Sequence, residues 1–350
     1  MHCCKECFWD SDLRDVIQRN AIGEGDCDFC GRHAPLIEPK QLGEKFEFLK
    51  DEIFKLSDHG YTLAECFQSE FQVFDSDNVR NINRLLDHVL GDESKTDNDK
   101  YIIASDNLRF CDDWNELRKE LIKRNRFFPN TEMLSNLFRR VKSTELSVFE
   151  ALLSQLSSKL PIDFPLYRAR ILNEVKDFPK DLDKPPAAVA SDGRANPVGI
   201  SYLYCADDKN TAVTEVRPST GSIVYIAELV TKKSLKLLDL TCPRKMFSAF
   251  QFADSDSKLA LELIVLLERL SEELSIPVAE SRHLNYLPTQ FFCEFIKSHE
   301  IFDGIIFSSS FTDKRNLVFF CETSEDIVDF KSFDKVEVTK TQHEFKVLVN

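Results

Sequence analysis

In the first half of the chain, apolar residues recur every three or four positions, which is the period of an amphipathic helix. The stretch 44–56 shows this pattern, with Phe46, Leu49, Ile53 and Leu56 on one face. The same period predicts further helices at 10–20, 112–128, 131–141 and 146–156. The stretch 91–100 is polar and unpatterned, and we interpret it as a loop.

Beyond residue 157 the pattern changes to short apolar runs, which are typical of β-strands. Two longer stretches with helical spacing, 256–274 and 288–299, interrupt these runs. Together they predict an α+β domain with a mixed or antiparallel sheet. The predicted strands cover residues 165–171, 199–205, 222–229, 234–240, 302–310, 316–321, 335–339 and 344–349.

Two cysteine pairs near the start, Cys4 with Cys7 and Cys27 with Cys30, have the C-x2-C…C-x2-C spacing of a structural zinc site. Each pair places two thiolates on one tight turn, and Gly31 follows the second pair, where such a turn often needs a relaxed backbone. Four thiolates leave no open coordination position, so we predict structural Zn²⁺. The alternative is four free thiols.

These patterns predict a multidomain protein. Its parts are a zinc-binding knuckle module at residues 1–40, an α-helical domain at 41–158 and an α+β domain at 159–350. The segment 157–165 is the predicted boundary before the last domain.

The net charge of −14 opposes non-specific binding to nucleic acid, which requires a positive surface. The first residues do not have the pattern of a secretory signal peptide. The most apolar run, 259–270, is too short and too charged to span a bilayer, because Glu262, Glu268 and Arg269 interrupt it. We therefore expect a cytoplasmic protein with no membrane contact.

Polar residues occur at fixed places in three blocks of the last domain: 166–170, 193–218 and 302–310. An arginine, alternating tyrosines, a glutamate within an apolar helix turn and serines at a strand end suit an anionic, ring-bearing ligand. Taken singly, the arginine is better explained by a surface ion pair and the serines by a polar turn. The alternatives for the tyrosines and the glutamate are packing at the edge of the core and a solvated helix position. The candidates are Arg168, Arg194, Asn196, Tyr202, Tyr204, Glu215, Ser308 and Ser309.

In this order, the blocks resemble the RES domain family over about residues 160–325. The resemblance implies a fold similar to ADP-ribosyltransferases, NAD⁺ as substrate and a toxin that breaks the nicotinamide–ribose bond. It implies catalytic roles for Arg168, Tyr204, Glu215 and Ser309, with Ser308 as the alternative serine. The remaining candidates, Arg194, Asn196 and Tyr202, would help to bind NAD⁺. The first half looks like the zinc-knuckle and helical region of longer HEPN/RES N-terminal domain proteins.

Several functions remain open from the sequence. The main hypothesis is an NAD⁺ glycohydrolase or phosphorylase of a toxin–antitoxin or bacterial defence system. An ADP-ribosyltransferase that modifies a protein is the alternative, and a non-catalytic zinc-dependent protein that binds nucleic acid or has a regulatory role is another. A HEPN-type ribonuclease is disfavoured, because residues 43–158 lack its Arg-x4–6-His pair. The partners expected are NAD⁺ and an antitoxin or regulatory protein, with homo-oligomer formation left open.

Overall fold

The structure, a computed structural model, describes residues 1–91, 99–103, 109–131, 144–252, 256–276 and 284–341, and at 109–113 and 144–147 it describes the backbone only. These residues form two compact units. One comprises Met1–Leu156 with Cys242–Arg269, and the other comprises Ser157–Thr241 with Leu270–Asn350. The predicted division at residues 40 and 158 into three domains stays a prediction. The segment 242–269 groups with the N-terminal residues.

The elements before residue 157 alternate between short helices and short strands. Local capping explains several helix starts, since Asp10, Thr62 and Asn81 each accept a hydrogen bond from a backbone N–H in the first turn of the helix that follows. The elements are β1 Cys3–Cys4, α1 Ser11–Arg19, β2 Gly23–Asp26, β3 His33–Ile37, α2 Gly43–Ile53, β4 Phe54–Tyr61, α3 Leu63–Phe71, α4 Ile82–Leu90, β5 Tyr101–Ile103, α5 Arg109–Lys119 with a π-turn at Glu120–Arg124, and α6 Thr144–Gln155.

The elements from residue 157 onward supply a large sheet and the helices that flank it. Most of the predicted strands are present, although β8 is shorter and β13 longer than predicted. They are β6 Ser157–Leu160, β7 Pro165–Ile171, β8 Leu203–Ala206, α7 Lys209–Glu215, β9 Ile223–Thr231, β10 Leu235–Asp239, α8 Pro243–Met246, α9 Asp256–Ser275, α10 Leu287–Ser298, β11 Gly304–Ser308, β12 Arg315–Phe319 and β13 Val328–Glu337.

In the second unit, the described strands form an eight-stranded sheet in the order β13-β9-β7-β8-β12-β11-β10-β6. The β10–β11 pair is parallel, and the other neighbours are antiparallel. The predicted mixed sheet is thus confirmed. Its core is mainly aliphatic and includes Leu166, Leu203 and Leu317, each fully buried.

In the first unit, the apolar face of α2 is buried as predicted at Phe46, Leu49 and Ile53. The Phe46 ring lies 5.1 Å from that of Phe67 and 5.0 Å from that of Phe250. The prediction that the helix continues to Leu56 is wrong. The chain becomes extended at Phe54, β4 pairs with the distant β5, and the Leu56 side chain is exposed.

Three predicted features cannot be compared with the structure in full. The predicted helix at 131–141, the predicted loop at 91–100 and the predicted strand at 344–349 lie wholly or mainly outside the described residues. Among the described helices, none has both the length and the apolar composition needed to cross a membrane.

Candidate functional site

Two adjoining cavities open beside β7 and β8 in the second unit, with volumes of about 350 and about 340 Å³. Arg168, Gly193 and Tyr204 line both cavities. The first also contains Glu215, and it combines charged groups with aromatic rings, as ligand pockets do. Its other lining residues are Tyr167, Ala169, Asp192, Arg194, Cys205, Ala206, Ala212, Val216, Arg217, Tyr286, Phe307 and Asn316.

Glu215 is the last residue of α7, a short helix that begins with a side-chain cap from Asp208. Helix α7 packs on the sheet through Ala212, which clusters with Ala169 and Ala206. These small residues allow the helix to lie close to β7 and β8. The Glu215 side chain is therefore held half-buried at the cavity wall by its own helix.

Two donors contact the same oxygen of Glu215. The hydroxyl of Ser309 donates to Oε1 at 2.7 Å, and Nδ2 of Asn316 donates to Oε1 at 2.6 Å. Ser308 points elsewhere, since its hydroxyl lies 3.5 Å from the carbonyl oxygen of Thr241. Of the two serines left open by the sequence, Ser309 is thus the one that contacts the glutamate.

Arg168 lies on β7 with its guanidinium among backbone carbonyls. It donates to the carbonyl oxygens of Leu182 at 2.9 Å, Tyr204 at 2.8 Å and, more distantly, Asp183 at 3.4 Å. Burial lowers the pKa of this arginine below its usual value. A guanidinium has five N–H donors, so these three contacts leave two that no hydrogen bond among the described residues uses.

Tyr204 fastens the loop that begins at Gly193. Its hydroxyl donates to Oδ1 of Asn196 at 2.6 Å and accepts from the backbone N–H of Ala195 at 3.2 Å. A Cβ at residue 193 would lie 2.6 Å from the Tyr204 hydroxyl, so glycine is required there. Burial raises the pKa of Tyr204, which keeps the phenol neutral.

Asn196 and Arg194, both in this loop, have backbone carbonyls as partners, within the loop for Asn196 and on α9 for Arg194. The Asn196 amide is buried, and its Nδ2 lies within hydrogen-bond distance of the carbonyl oxygens of Ser191, Pro197 and Ile200. Arg194 donates from Nη1 to the carbonyl oxygens of Leu274 and Ser275 at 2.8 and 3.2 Å, at the negative end of α9. Asn196 therefore shapes the loop, whereas Arg194 lines the first cavity with donors to spare.

Tyr202 is 2% exposed and belongs to the wall of the second cavity only. Its hydroxyl donates to Glu294 on α10, and its ring lies 5.0 Å from that of Phe320. Burial raises the pKa of this tyrosine. Of the two tyrosines, Tyr204 lines both cavities and Tyr202 lines the second alone, and the binding role expected for Tyr202 stays a prediction.

Asn316 is the contact that the sequence reasoning did not identify. It lies on β12, where Leu317, Val318 and Phe319 are all buried. The sequence does contain one signal for Asn316, a single amide in an apolar strand. A buried polar side chain needs a hydrogen-bond partner. That partner, Glu215, lies far away in sequence, so the pattern alone could not name it.

In the first unit, Cys4, Cys7, Cys27 and Cys30 form one cluster, with the four sulfur atoms within 4.8 Å of one another. The Cys4–Cys30 and Cys7–Cys27 sulfurs are 3.5 and 3.4 Å apart. Four thiolates around a zinc ion at about 2.3 Å would be about 3.8 Å apart. The cluster could therefore hold a metal ion.

The backbone around this cluster matches the predicted knuckle. Gly31 has a positive φ of 75°, and its N–H donates to the carbonyl oxygen of Cys27 at 2.9 Å. Strands β1, β3 and β2 form a small sheet that carries both cysteine pairs close together. Cys3 is buried but is not one of the four clustered residues.

Comparison with known proteins gives one family match. The model of the RES domain matches residues 165–340, just over half of the 350-residue chain. No curated protein matches. A solved structure described as "Crystal structure of the M.tuberculosis MbcT-MbcA toxin-antitoxin complex" is similar with a TM-score of 0.33 and 12% identity, covering 54% of this chain and 92% of that chain. The matched range contains Arg168, Tyr204, Glu215 and Ser309.

Proposed function

Since this chain belongs to the RES domain family, we propose that it is an NAD⁺-consuming enzyme that cleaves the nicotinamide–ribose bond and acts as a toxin. The observation that carries the proposal is the half-buried carboxylate of Glu215 in a cavity of about 350 Å³, held by Ser309 and Asn316 and accompanied by three arginines, of which Arg168 and Arg194 are the candidates from the sequence. This cavity has the volume typical of ligand pockets.

Cleavage of the nicotinamide–ribose bond places positive charge on the ribose ring. The bond between C1′ and the pyridinium nitrogen breaks, its electron pair goes to that nitrogen, and nicotinamide leaves as a neutral molecule. A fixed carboxylate next to C1′ stabilises this charge as it develops. A water, phosphate or protein nucleophile then forms the new bond at C1′ and loses its proton. We assign the carboxylate role to Glu215.

The pyrophosphate of NAD⁺ requires cationic donors, and arginine offers a planar pair of them. Arg168 and Arg194 line the cavity with their orientation fixed by backbone carbonyls, so little side-chain freedom is lost when a phosphate binds. Tyr204 offers a ring for stacking on nicotinamide.

We further propose that the four clustered cysteines hold structural Zn²⁺, and that an antitoxin or regulatory protein restrains the enzyme.

The decisive experiment is incubation of the purified full-length chain with NAD⁺, with and without inorganic phosphate, followed by identification of the products. Release of nicotinamide with ADP-ribose indicates hydrolysis, whereas ADP-ribose 1″-phosphate indicates phosphorolysis. Labelled ADP-ribose on an added protein fraction indicates transfer to protein. NAD⁺ that remains intact under all three conditions would refute the proposal.

A further inference from the structure

The two carboxylate oxygens of Glu215 have different surroundings. Oε1 accepts two hydrogen bonds, from Ser309 at 2.7 Å and from Asn316 at 2.6 Å. In the part of the chain that the structure describes, no donor contacts Oε2. Because Glu215 and Asn316 both line the first cavity, the second oxygen is left for a ligand.

The Ser309 hydroxyl donates to Glu215 and accepts a second hydrogen bond at the same time. Its Oγ already accepts a hydrogen bond from the backbone N–H of Phe311 at 3.1 Å. The loop that contains Ser309 and Thr312 is further tied to α7, because the hydroxyls of Thr312 and Thr211 lie 2.8 Å apart. The Ser309 hydroxyl therefore holds Oε1 of Glu215 from one side, and the direction of this hydrogen bond is fixed.

Asn316 holds the Glu215 carboxylate from the side of the sheet. Its backbone lies in the middle of the sheet, where β12 pairs with Ala206 on one side and Phe307 on the other. The side chain is 6% exposed. An amide neither gains nor loses a proton at ordinary pH, so its Nδ2 can act on Glu215 only as a donor.

We propose that Asn316 is a positioning residue that, with Ser309, fixes Oε1 of Glu215 and thereby makes Oε2 the oxygen that faces the ribose. This inference rests on the proposed function of Glu215. Two donors on one oxygen prevent rotation of the carboxylate, so the free oxygen is already oriented when the ligand binds. The hydrogen bonds are charge-assisted, which makes them stronger than those between neutral groups.

The test uses Asn316→Ala and Asn316→Asp in the full-length chain, with Asn210→Ala as the matched control because Asn210 is exposed and is not among the residues that line the first cavity. We expect Asn316→Ala to lower kcat for NAD⁺ cleavage by about 10- to 100-fold, the effect of a lost hydrogen bond to a charged group. KM should change less than kcat. The control should retain wild-type kcat.

Asn316→Asp keeps the shape but places a second carboxylate against Glu215. Like charges at this distance favour protonation, so the acidic limb of the pH–rate profile should move to higher pH. A purely structural role would not move this limb. Wild-type kcat in Asn316→Ala, or an unmoved acidic limb in folded Asn316→Asp, would overturn the inference while the proposed function stands.

If the wild-type protein leaves NAD⁺ intact, the proposed function fails, and a second measurement tests the positioning. The side-chain carboxyl ¹³C signal of Glu215, assigned by its loss in Glu215→Gln, should shift in Asn316→Asp relative to wild type. A shift of this signal supports the contact between Asn316 and the Glu215 carboxylate, even though no reaction has been assigned. An unchanged signal overturns the contact and the inference with it.

Discussion

The cysteine cluster draws its four thiols from two short segments with the spacing of two knuckles, Cys4 to Cys7 and Cys27 to Cys30. The Glu215 site instead combines a helix end with Ser309 and Asn316, which are 94 and 101 residues further along the chain. A site with ligands close in sequence can be predicted from spacing, because the backbone of one turn fixes the geometry. A site assembled across a sheet depends on strand order, which no local pattern contains.

We expect the largest effect at the cysteine cluster. Cys27→Ser removes one thiolate from a closed site, and metal binding contributes directly to folding at such sites. We expect the bound zinc to fall from about one ion per chain to nearly none, with a clear loss of thermal stability. Metal analysis and a melting curve measure both. Cys242→Ser, at an exposed cysteine outside the cluster, should change neither.

At the other site, Glu215→Gln keeps the shape and removes the charge. We expect NAD⁺ turnover to fall by about 100- to 1,000-fold, the usual effect of removing an electrostatic stabiliser of the transition state. The melting temperature should remain close to that of wild type. Turnover assays compare the variant with Glu174→Gln, an exposed glutamate in the same unit. Turnover within a few-fold of wild type would exclude the assigned role.

Asp10 follows the first cysteine pair and caps α1, accepting from the N–H of Leu13 at 3.0 Å. Burial raises the pKa of Asp10 from 3.8 to about 6. Because the folded pKa is the higher one, this group's contribution to stability is complete below about pH 4 and is lost as pH rises through about 6. The loss amounts to about 3 kcal/mol.

Urea unfolding from pH 4 to 8 measures this effect as the difference between wild type and Asp10→Asn. Asparagine keeps the cap but cannot ionise, so the variant should be the more stable protein above pH 6 and similar to wild type at pH 4. Asp15→Asn, at an exposed position on the same helix, should follow wild type at every pH. A difference in unfolding free energy between wild type and Asp10→Asn that does not vary with pH would contradict a raised pKa for the buried Asp10 carboxyl.

Arg168→Lys keeps the charge but cannot reproduce a planar set of donors. We expect NAD⁺ binding to weaken by about 1–3 kcal/mol, measured by calorimetric titration in a Glu215→Gln background where the substrate survives. Arg170→Lys is the matched control, although Arg170 also donates to backbone carbonyls, those of Asp181 and Asp183. A larger loss in Arg170→Lys than in Arg168→Lys would show that the wrong arginine was assigned.

The smallest effect is expected for Tyr204→Phe. The variant loses the hydroxyl contacts to Asn196 and Ala195 but keeps the ring. If the ring stacks on nicotinamide, the Kd for NAD⁺ should rise only a few-fold, and Tyr204→Ala should raise it further. Equal losses in both variants would assign the role of Tyr204 to the hydroxyl that fastens the loop.

The local pattern of apolar and polar residues was enough to place several helices and strands, although not to say which strands pair. The apolar period placed α1, most of α2, α9 and α10, and the apolar runs placed β7, β9, β10 and β11. Cysteine spacing with Gly31 predicted the knuckles. Such features follow from residues a few positions apart, where covalent geometry limits the distance between side chains.

The tertiary structure alone decided what depends on distant partners. Leu56 continues the helical pattern, yet β4 begins at Phe54 because β5 offers backbone hydrogen bonds to an extended chain. Strand order brings β12 beside β8 and β11, and this brings the side-chain amide of Asn316 within hydrogen-bond distance of Glu215. The same folding turns Asn196 and Tyr202 toward loop and helix partners. Side-chain hydrogen bonds are directional and short-ranged, so their partners are set only when the tertiary structure has formed.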